Sequence, residues 1–316
     1  MKTLLVGYRA SDLFEKGRHG KKKPSALLEG DVTCHTLDIY ERHAIEKVHH
    51  AKTICSPHLP EGDWDKIYFK TGPKRMSAEL SLDLLQEISL RLGGELKPPR
   101  FMLEFDGKER DKNDLIDKIL CDPKRVRNFT AKWTASVPGA KPIELESAPG
   151  CFCHRRADEG GLALAETISR ELQEARTQET LRLLDMGCGC GLVGLLVATA
   201  VKNIDLVMVD SHSRAVEEAN KNASQLGINA EVILADSGTP KRMDETFDFF
   251  AGNPPYYSEY RIAEVFYETA LRALKKGGVC YMVCKNALGL EPVARKYFDN
   301  IEIIHRRAYA ILKSKK

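Results

Sequence analysis

The chain reads as α/β throughout: two tandem Rossmann-like folds, each a mostly parallel seven-stranded sheet with a terminal antiparallel hairpin, the first copy degenerate. Three observations predict this. From Glu179 onward, short apolar runs alternate with stretches of helical spacing, the signature of a doubly wound parallel sheet. The last two apolar runs have no helix between them and so read as a hairpin. The first half repeats the same landmarks in the same order, which points to duplication.

In the second half, Leu181–Met186, Ile204–Asp210, Ala230–Ala235, Thr246–Ala251 and Val279–Cys284 are the strand runs. Gly191–Val201, Ser213–Leu226 and Ile262–Leu274 carry helical spacing, and Gly227 supplies a C-terminal stop for the second of them. Ile301–Ile304 and Ala308–Leu312 form the closing hairpin. In the first half, Leu4-Leu5-Val6-Gly7 stands as a first strand. Thr36-Leu37-Asp38 with Arg42 echoes Met208-Val209-Asp210 with Arg214, and the Trp64–Phe69 run echoes Phe247–Ala251. Leu96–Leu103 resembles Leu274–Tyr281, each expected to lead into a helix and a final strand. The Pro- and Gly-bearing stretch Val137–Gly150 marks the boundary, giving domains 1–145 and 146–316.

The bulk composition is that of a water-soluble globular chain. Leu192–Val201 is the most apolar stretch near the motifs and is far shorter than the roughly 20 residues a membrane helix needs, so no membrane partner is expected. Tyr8, Arg9 and Asp12 interrupt the apolar start before a signal-peptide core can form, and a cytoplasmic location is expected. The 9 cysteines form no disulfide-like pattern. Cys151/Cys153 and Cys188/Cys190 are spaced more tightly than zinc ligands usually are, so no metal is expected. The net charge of +3 does not demand a nucleic acid. The positive excess lies in the first half, where residues 1–145 carry 26 Lys+Arg against 22 Asp+Glu. There the cluster Lys16, Arg18, His19, Lys21, Lys22, Lys23 can meet phosphates or stand as a solvated loop.

The chemistry concentrates in the second copy. Asp185-Met186-Gly187-Cys188-Gly189-Cys190-Gly191 follows a strand and opens a helix, so its glycines can turn tightly and admit a nucleotide-like cofactor to the backbone. Gly189–Gly194 is also a formal dinucleotide fingerprint, with Asp210 about 20 residues on, so the glycines alone leave NAD open. Asp210, followed by Ser211, stands where a carboxylate binds ribose hydroxyls. Asp236 ends the third strand and can accept from an adenine amine. The discriminating element is Asn253-Pro254-Pro255-Tyr256 after the fourth strand. The two prolines stiffen the turn and remove N–H donors, so the Asn253 side-chain oxygen and the Pro254 carbonyl can both accept from one NH2 group. An aromatic amine is a poor nucleophile because its lone pair is delocalised; two acceptors would hold it in line with a sulfonium methyl. Tyr256 offers a stacking face for a planar base. The first copy has Gly7-Tyr8-Arg9 and Thr71-Gly72-Pro73 at the equivalent places and is expected to be inert.

Together, Asp185–Gly191, Asp210, Asp236 and Asn253–Tyr256 resemble the motif series of class I S-adenosylmethionine-dependent methyltransferases. The whole chain is similar to the ribosomal RNA guanine-N2 methyltransferases of the RsmC and RlmG type, which pair a degenerate amino-terminal domain with an active carboxyl-terminal one. Phe152–Gly160, with its Asp158-Glu159-Gly160 leading a helix, Phe247–Asn253 and Arg307–Lys313 match further segments of that type. The resemblance implies S-adenosyl-L-methionine as cofactor and RNA, in particular ribosomal RNA, as partner. It places the cofactor at Asp185, Gly187, Gly189, Gly191, Asp210, Ser211, Asp236 and Asn253, and the chemistry at Asn253, Pro254, Pro255 and Tyr256. Tyr256 stands where that type usually has Phe, and Tyr257-Ser258-Glu259 replaces its usual continuation.

Other readings remain open at the level of sequence. A protein glutamine methyltransferase of the HemK type shares Asn-Pro-Pro-Tyr but has a helical amino-terminal part, unlike the strand-rich first half here. Adenine-N6 methylation is a neighbouring chemistry. An NAD-dependent oxidoreductase would leave Asn253–Tyr256 unexplained, and an inert RNA-binding protein would leave the intact motifs unused.

Overall fold

A computed structural model of the protein describes residues 1–16, 22–120, 127–175, 178–255 and 260–316. Arg18, His19 and Lys21 of the basic cluster, and Tyr256 and Tyr257 of the candidate site, lie outside the described residues. The chain divides into two compact units, Met1–Phe129 with His212–Arg214, and Thr130–Ser211 with Ala215–Lys316.

The first unit is built on β1 (Lys2–Val6), whose Leu4, Leu5 and Val6 are fully buried. A strand covered on both faces is apolar without alternation, which is why this run is continuous. A short antiparallel pair, β2 (Phe14–Lys16) and β3 (Lys22–Pro24), follows. Then come β4 (Asp31–Thr36), α1 (Ile39–His49), β5 (Lys52–Cys55), β6 (Lys66–Thr71), α2 (Ala78–Arg91), β7 (Phe101–Phe105) and α3 (Glu109–Leu120). Asp38 starts α1 by accepting from the Tyr40 N–H at 2.8 Å, and Ser77 starts α2 through the Leu80 N–H at 3.2 Å. The sheet runs β5-β4-β1-β6-β7 and every pairing in it is parallel.

The second unit opens with the hairpin β8 (Ala131–Ala135) and β9 (Ile143–Ser147). It continues through α4 (Glu159–Ala175), β10 (Leu181–Met186), α5 (Leu192–Ala200), β11 (Ile204–Asp210), α6 (Ser213–Gln225), β12 (Ala230–Leu234) and β13 (Phe247–Gly252). The last elements are α7 (Arg261–Ala273), β14 (Leu274–Cys284), α8 (Ala287–Ala294), β15 (Ile301–Arg306) and β16 (Tyr309–Lys315). Its seven-stranded sheet has the order β12-β11-β10-β13-β14-β16-β15, and only the β14/β16 and β15/β16 pairings are antiparallel. The two-residue side-chain period sorts the strands into two cores. Leu183, Met208, Tyr281 and Ile311 face α4 and α5, while Leu184, Val209, Cys280 and Leu312 face α7 and α8.

The first copy departs from expectation in one respect. It stops at five parallel strands, and the strand that follows α3 does not close its sheet. That strand is β8, which pairs with β9 instead. Ala135, Ile143 and Leu145 on the hairpin's apolar side are buried among Leu164, Leu195 and Val197. An apolar hairpin face needs a partner layer, and here the α4/α5 layer provides it. The division into units accordingly falls at Phe129/Thr130. Among the described residues no helix is long and apolar enough to cross a membrane.

Candidate active site

In the second sheet the chain runs outward from β10 to β11 and β12, then returns to the other side of β10 with β13. Open α/β sheets bind ligands at such a reversal, outside the carboxyl ends of the strands. Met186 pairs with Val209 on one side and with Gly252 on the other, so the next residues, Gly187, Asp210 and Asn253, come to one edge. Asp210 also pairs with Leu234, which brings Asp236 to that edge two residues on. Ser211 and Asp236 are partly buried there.

The glycine bend is pinned by hydrogen bonds. Gly187 and Cys188 N–H donate to the Val209 carbonyl at 2.8 and 3.1 Å, and Gly189 N–H donates to Asp210 Oδ2 at 2.9 Å. Its three glycines do different work. All adopt positive φ, but a Cβ at Gly187 would stand 2.8 Å from the Phe266 ring, and one at Gly191 2.7 Å from Leu195. A Cβ at Gly189 would meet nothing within 4 Å. Gly187 and Gly191 therefore permit packing, whereas Gly189 presents bare backbone to open space. The bend's other side chains point inward. Cys188 and Cys190 are buried, and burial raises both thiols above their usual range, so they fill space as neutral groups.

Asp185 lies beneath the bend, 2 % exposed, with Oδ2 accepting from the Gly194 N–H at 2.9 Å. Burial, with a smaller contribution from the charge of Asp210, pushes its carboxyl up to about 7, against the pull of that hydrogen bond. This geometry makes Asp185 a support for the bend and the start of α5.

Two partners of the site were not legible in the motifs. Asn253 Nδ2 donates to Asp158 Oδ2 at 2.8 Å, and the same oxygen accepts from the Gly161 N–H at 2.7 Å. A carboxylate only accepts, so the amide's donor end is committed to Asp158 and its Oδ1 is the end left to accept. The only sequence signal was that Asp158 begins an Asp-x-Gly ahead of a helix. The second partner is Asn222 on α6, fully buried. It donates to the Cys190 carbonyl at 2.8 Å and to the Glu146 carbonyl at 2.9 Å, and accepts from the Glu146 N–H at 2.8 Å. The amide thus ties the glycine bend to β9. No periodicity distinguishes it from an ordinary helical asparagine.

The equivalent edge of the first sheet is filled by its own charges. Arg75 donates to both oxygens of Asp12 at 2.7 and 2.6 Å and bonds Asp106, while Lys70 lies 3.1 Å from Glu104, which accepts from the Tyr8 hydroxyl at 2.7 Å. Burial opposes ionisation of Asp12, yet Arg75 holds its carboxyl below the usual range. A Cβ on Gly7 would stand 2.4 Å from the Lys70 carbonyl oxygen, so this bend is closed where that at Gly189 is open.

A parallel sheet with its reversal at β10, a glycine bend opening at Gly189 and an oriented asparagine before two prolines define a methyltransferase. The methyltransferase small domain family matches residues 142–313, and the chain belongs to that family. It is 28% identical to the uncharacterised YbxB of Bacillus subtilis, over 56% of this chain and 87% of that one. It is 26% identical to ribosomal RNA small subunit methyltransferase C of Haemophilus influenzae, over 57% of this chain but 52% of the relative. Against ribosomal RNA large subunit methyltransferase G of Pseudomonas putida it is 25% identical, over 81% and 72%. The chain thus spans about half the length of the small-subunit relatives it matches. Its fold is shared with the T. thermophilus 16S rRNA N2 methyltransferase RsmC, solved with AdoMet and guanosine, at a TM-score of 0.74 over 100% of this chain and 88% of that one, with 17% identity. The tandem arrangement is therefore a known one. The enzyme is an S-adenosyl-L-methionine-dependent methyltransferase, and the open backbone at Gly189 beside two strand-end carboxylates fits that cofactor.

Proposed function

We propose that the enzyme methylates an exocyclic amine of an RNA base, guanine N2 in ribosomal RNA above all. The observation that carries this reading is the Asp158–Asn253 hydrogen bond, because it leaves an amide oxygen as acceptor next to a proline-stiffened turn. When bound, S-adenosyl-L-methionine supplies an electrophilic methyl group. Gly187, Gly189, Gly191, Asp185, Asp210, Ser211 and Asp236 would build its site, with Gly189 giving close approach and Asp185 acting from below. Asn253 Oδ1 and the Pro254 carbonyl would accept hydrogen bonds from the two amine hydrogens, orienting the nitrogen lone pair and stabilising its positive charge as the N–C bond forms and the methyl–sulfur bond breaks. One amine proton would then be lost to water. Pro255 would keep that geometry rigid, and Tyr256 would stack on the base. An amine inside a duplex is out of reach, so the target must be single-stranded or flipped out. The first unit, its own edge filled, would serve to grip and position RNA.

The relatives named for ribosomal RNA methylation on both subunits support this substrate class. The test is transfer of labelled methyl from S-adenosyl-L-methionine to RNA from cells lacking the protein, with mass spectrometry of the nucleosides. The expected product is N2-methylguanosine. Label in protein glutamine, or in no RNA fraction, would sink the reading.

A further inference from the structure

Beside the site, the start of α8 and the turn between β15 and β16 enclose a groove of about 540 Å³. Cys284 pairs with Ala310, so the groove lies at the same carboxyl edge of the sheet as Asn253. Its wall is continuous with the reaction centre: a Cβ at Gly160 would stand 3.0 Å from the Tyr309 ring on one side and 3.1 Å from Asp158 Oδ2 on the other.

The charge in this groove is unevenly compensated. Arg306 bonds Glu166 at 2.8 Å and Thr167 at 3.0 Å; Arg307 bonds Glu166 at 3.2 Å and Glu159 at 3.0 Å. Those arginines are balanced by carboxylates. Lys285 is exposed, has no carboxylate partner among the described residues, and holds its Nζ 5.8 Å from the centre of the Tyr309 ring. Leu288, 82% exposed, also lines the groove and adds an apolar surface to it. A cation with no carboxylate partner among the described residues, beside an aromatic ring in a groove that an exposed aliphatic side chain also lines, suits a strand in which phosphates alternate with flat bases.

We infer that this groove takes the single-stranded RNA flanking the target nucleotide, with Lys285 contacting a backbone phosphate and Tyr309 and Leu288 bracketing a neighbouring base or ribose. The choice of ligand rests on RNA being the substrate, but the groove can be tested by binding alone. A short fluorescein-labelled single-stranded RNA is titrated with the full chain over roughly 50 to 200 mM salt. Relative to wild type, Lys285→Ala should bind about threefold to tenfold more weakly, with a salt slope shallower by about 0.7 to 1. Lys285→Arg should retain both, and calorimetric affinity for S-adenosyl-L-methionine should be the same in all three. An unchanged slope and affinity in Lys285→Ala overturns the assignment, as does wild type that binds no RNA or releases it to polyglutamate as readily as to unlabelled RNA. Methylation of the RNA is read separately. A chain that binds RNA through Lys285 yet methylates none keeps the groove and removes the reading of the reaction.

Discussion

Asn253 shows how one hydrogen bond turns a motif into a tool. A free amide can present either end to a substrate, and Asp158 removes that ambiguity by engaging Nδ2. Asn253→Ala is expected to lower kcat by about 100-fold or more, the usual cost of losing one preorganised polar contact to a transition state. Calorimetry should show S-adenosyl-L-methionine binding retained, and near-normal turnover would refute the acceptor role. Asp158→Ala leaves the amide unanchored, and kcat should fall by about tenfold to a hundredfold with a much smaller change in KM. Asp158→Asn keeps an oxygen for Gly161 and Asn253 and should recover most of the rate; equal loss in both variants would mean that charge, not orientation, matters. Asp185 makes a prediction about stability. Its folded pKa, about 7, lies above the ordinary carboxylate value, so its contribution is most favourable below pH 4 and is lost as pH rises to 7. Asp185→Asn, which can still accept from Gly194, should therefore melt higher than wild type without ligand at pH 8, by roughly 2–4 °C for each kcal/mol relieved. At pH 4 the two should coincide. A mutant that melts lower at pH 8 would show the carboxylate is needed ionised.

At the scale of the element, the glycine bend separates packing from binding. Gly191 adopts φ +93, with Leu195 and Met208 where a Cβ would go. Gly191→Ala adds backbone strain to overpacking, on the order of 2–4 kcal/mol together, or roughly 4–16 °C in Tm. Gly189→Ala has only the φ cost, about 1 kcal/mol, but projects a methyl into open space. It should melt close to wild type and bind S-adenosyl-L-methionine at least about tenfold more weakly, a loss of about 1.4 kcal/mol. Thermal melts and calorimetry on both variants check this, and the reverse ranking would mean that the cofactor approaches elsewhere. The sequence pattern marked all three glycines alike. It could not separate them, because the difference lies in residues from α5, α7 and β11 that meet them only in three dimensions.

At the scale of the molecule, the first unit keeps the sheet order of the second over five strands but not its open edge. It also carries His35, 1 % exposed, with Nε2 3.0 Å from the Ser56 carbonyl. Burial lowers this imidazole to about 4, so the stability it lends is present above its unfolded value near 6.5 and is lost as pH falls from there to about 4. On that window the first unit should lose on the order of 3 kcal/mol. His35→Gln should flatten the loss, as followed by denaturant unfolding between pH 7 and 4; an undiminished pH dependence would assign it to other groups.

The parallel strands β10 to β14, the helices between them, the closing hairpin and the alignment of Gly187, Asp210, Asp236 and Asn253 at one edge were legible in the sequence, whereas the hairpin of β8 and β9 was not. Strand and helix periods are local, and a parallel sheet with alternating helices has few ways to wind. The sequence by itself determined which residues stand at the strand ends, a glycine loop, a carboxylate series and a proline turn whose combination points to methyl transfer. Three matters were decided by tertiary structure alone: that the 131–147 hairpin joins the second unit, that Asp158 holds Asn253 and Asn222 the glycine bend, and that charged side chains close the first copy's edge. Each joins residues distant in the chain, and such a contact leaves no period or spacing behind; it exists only once packing has brought the partners within reach.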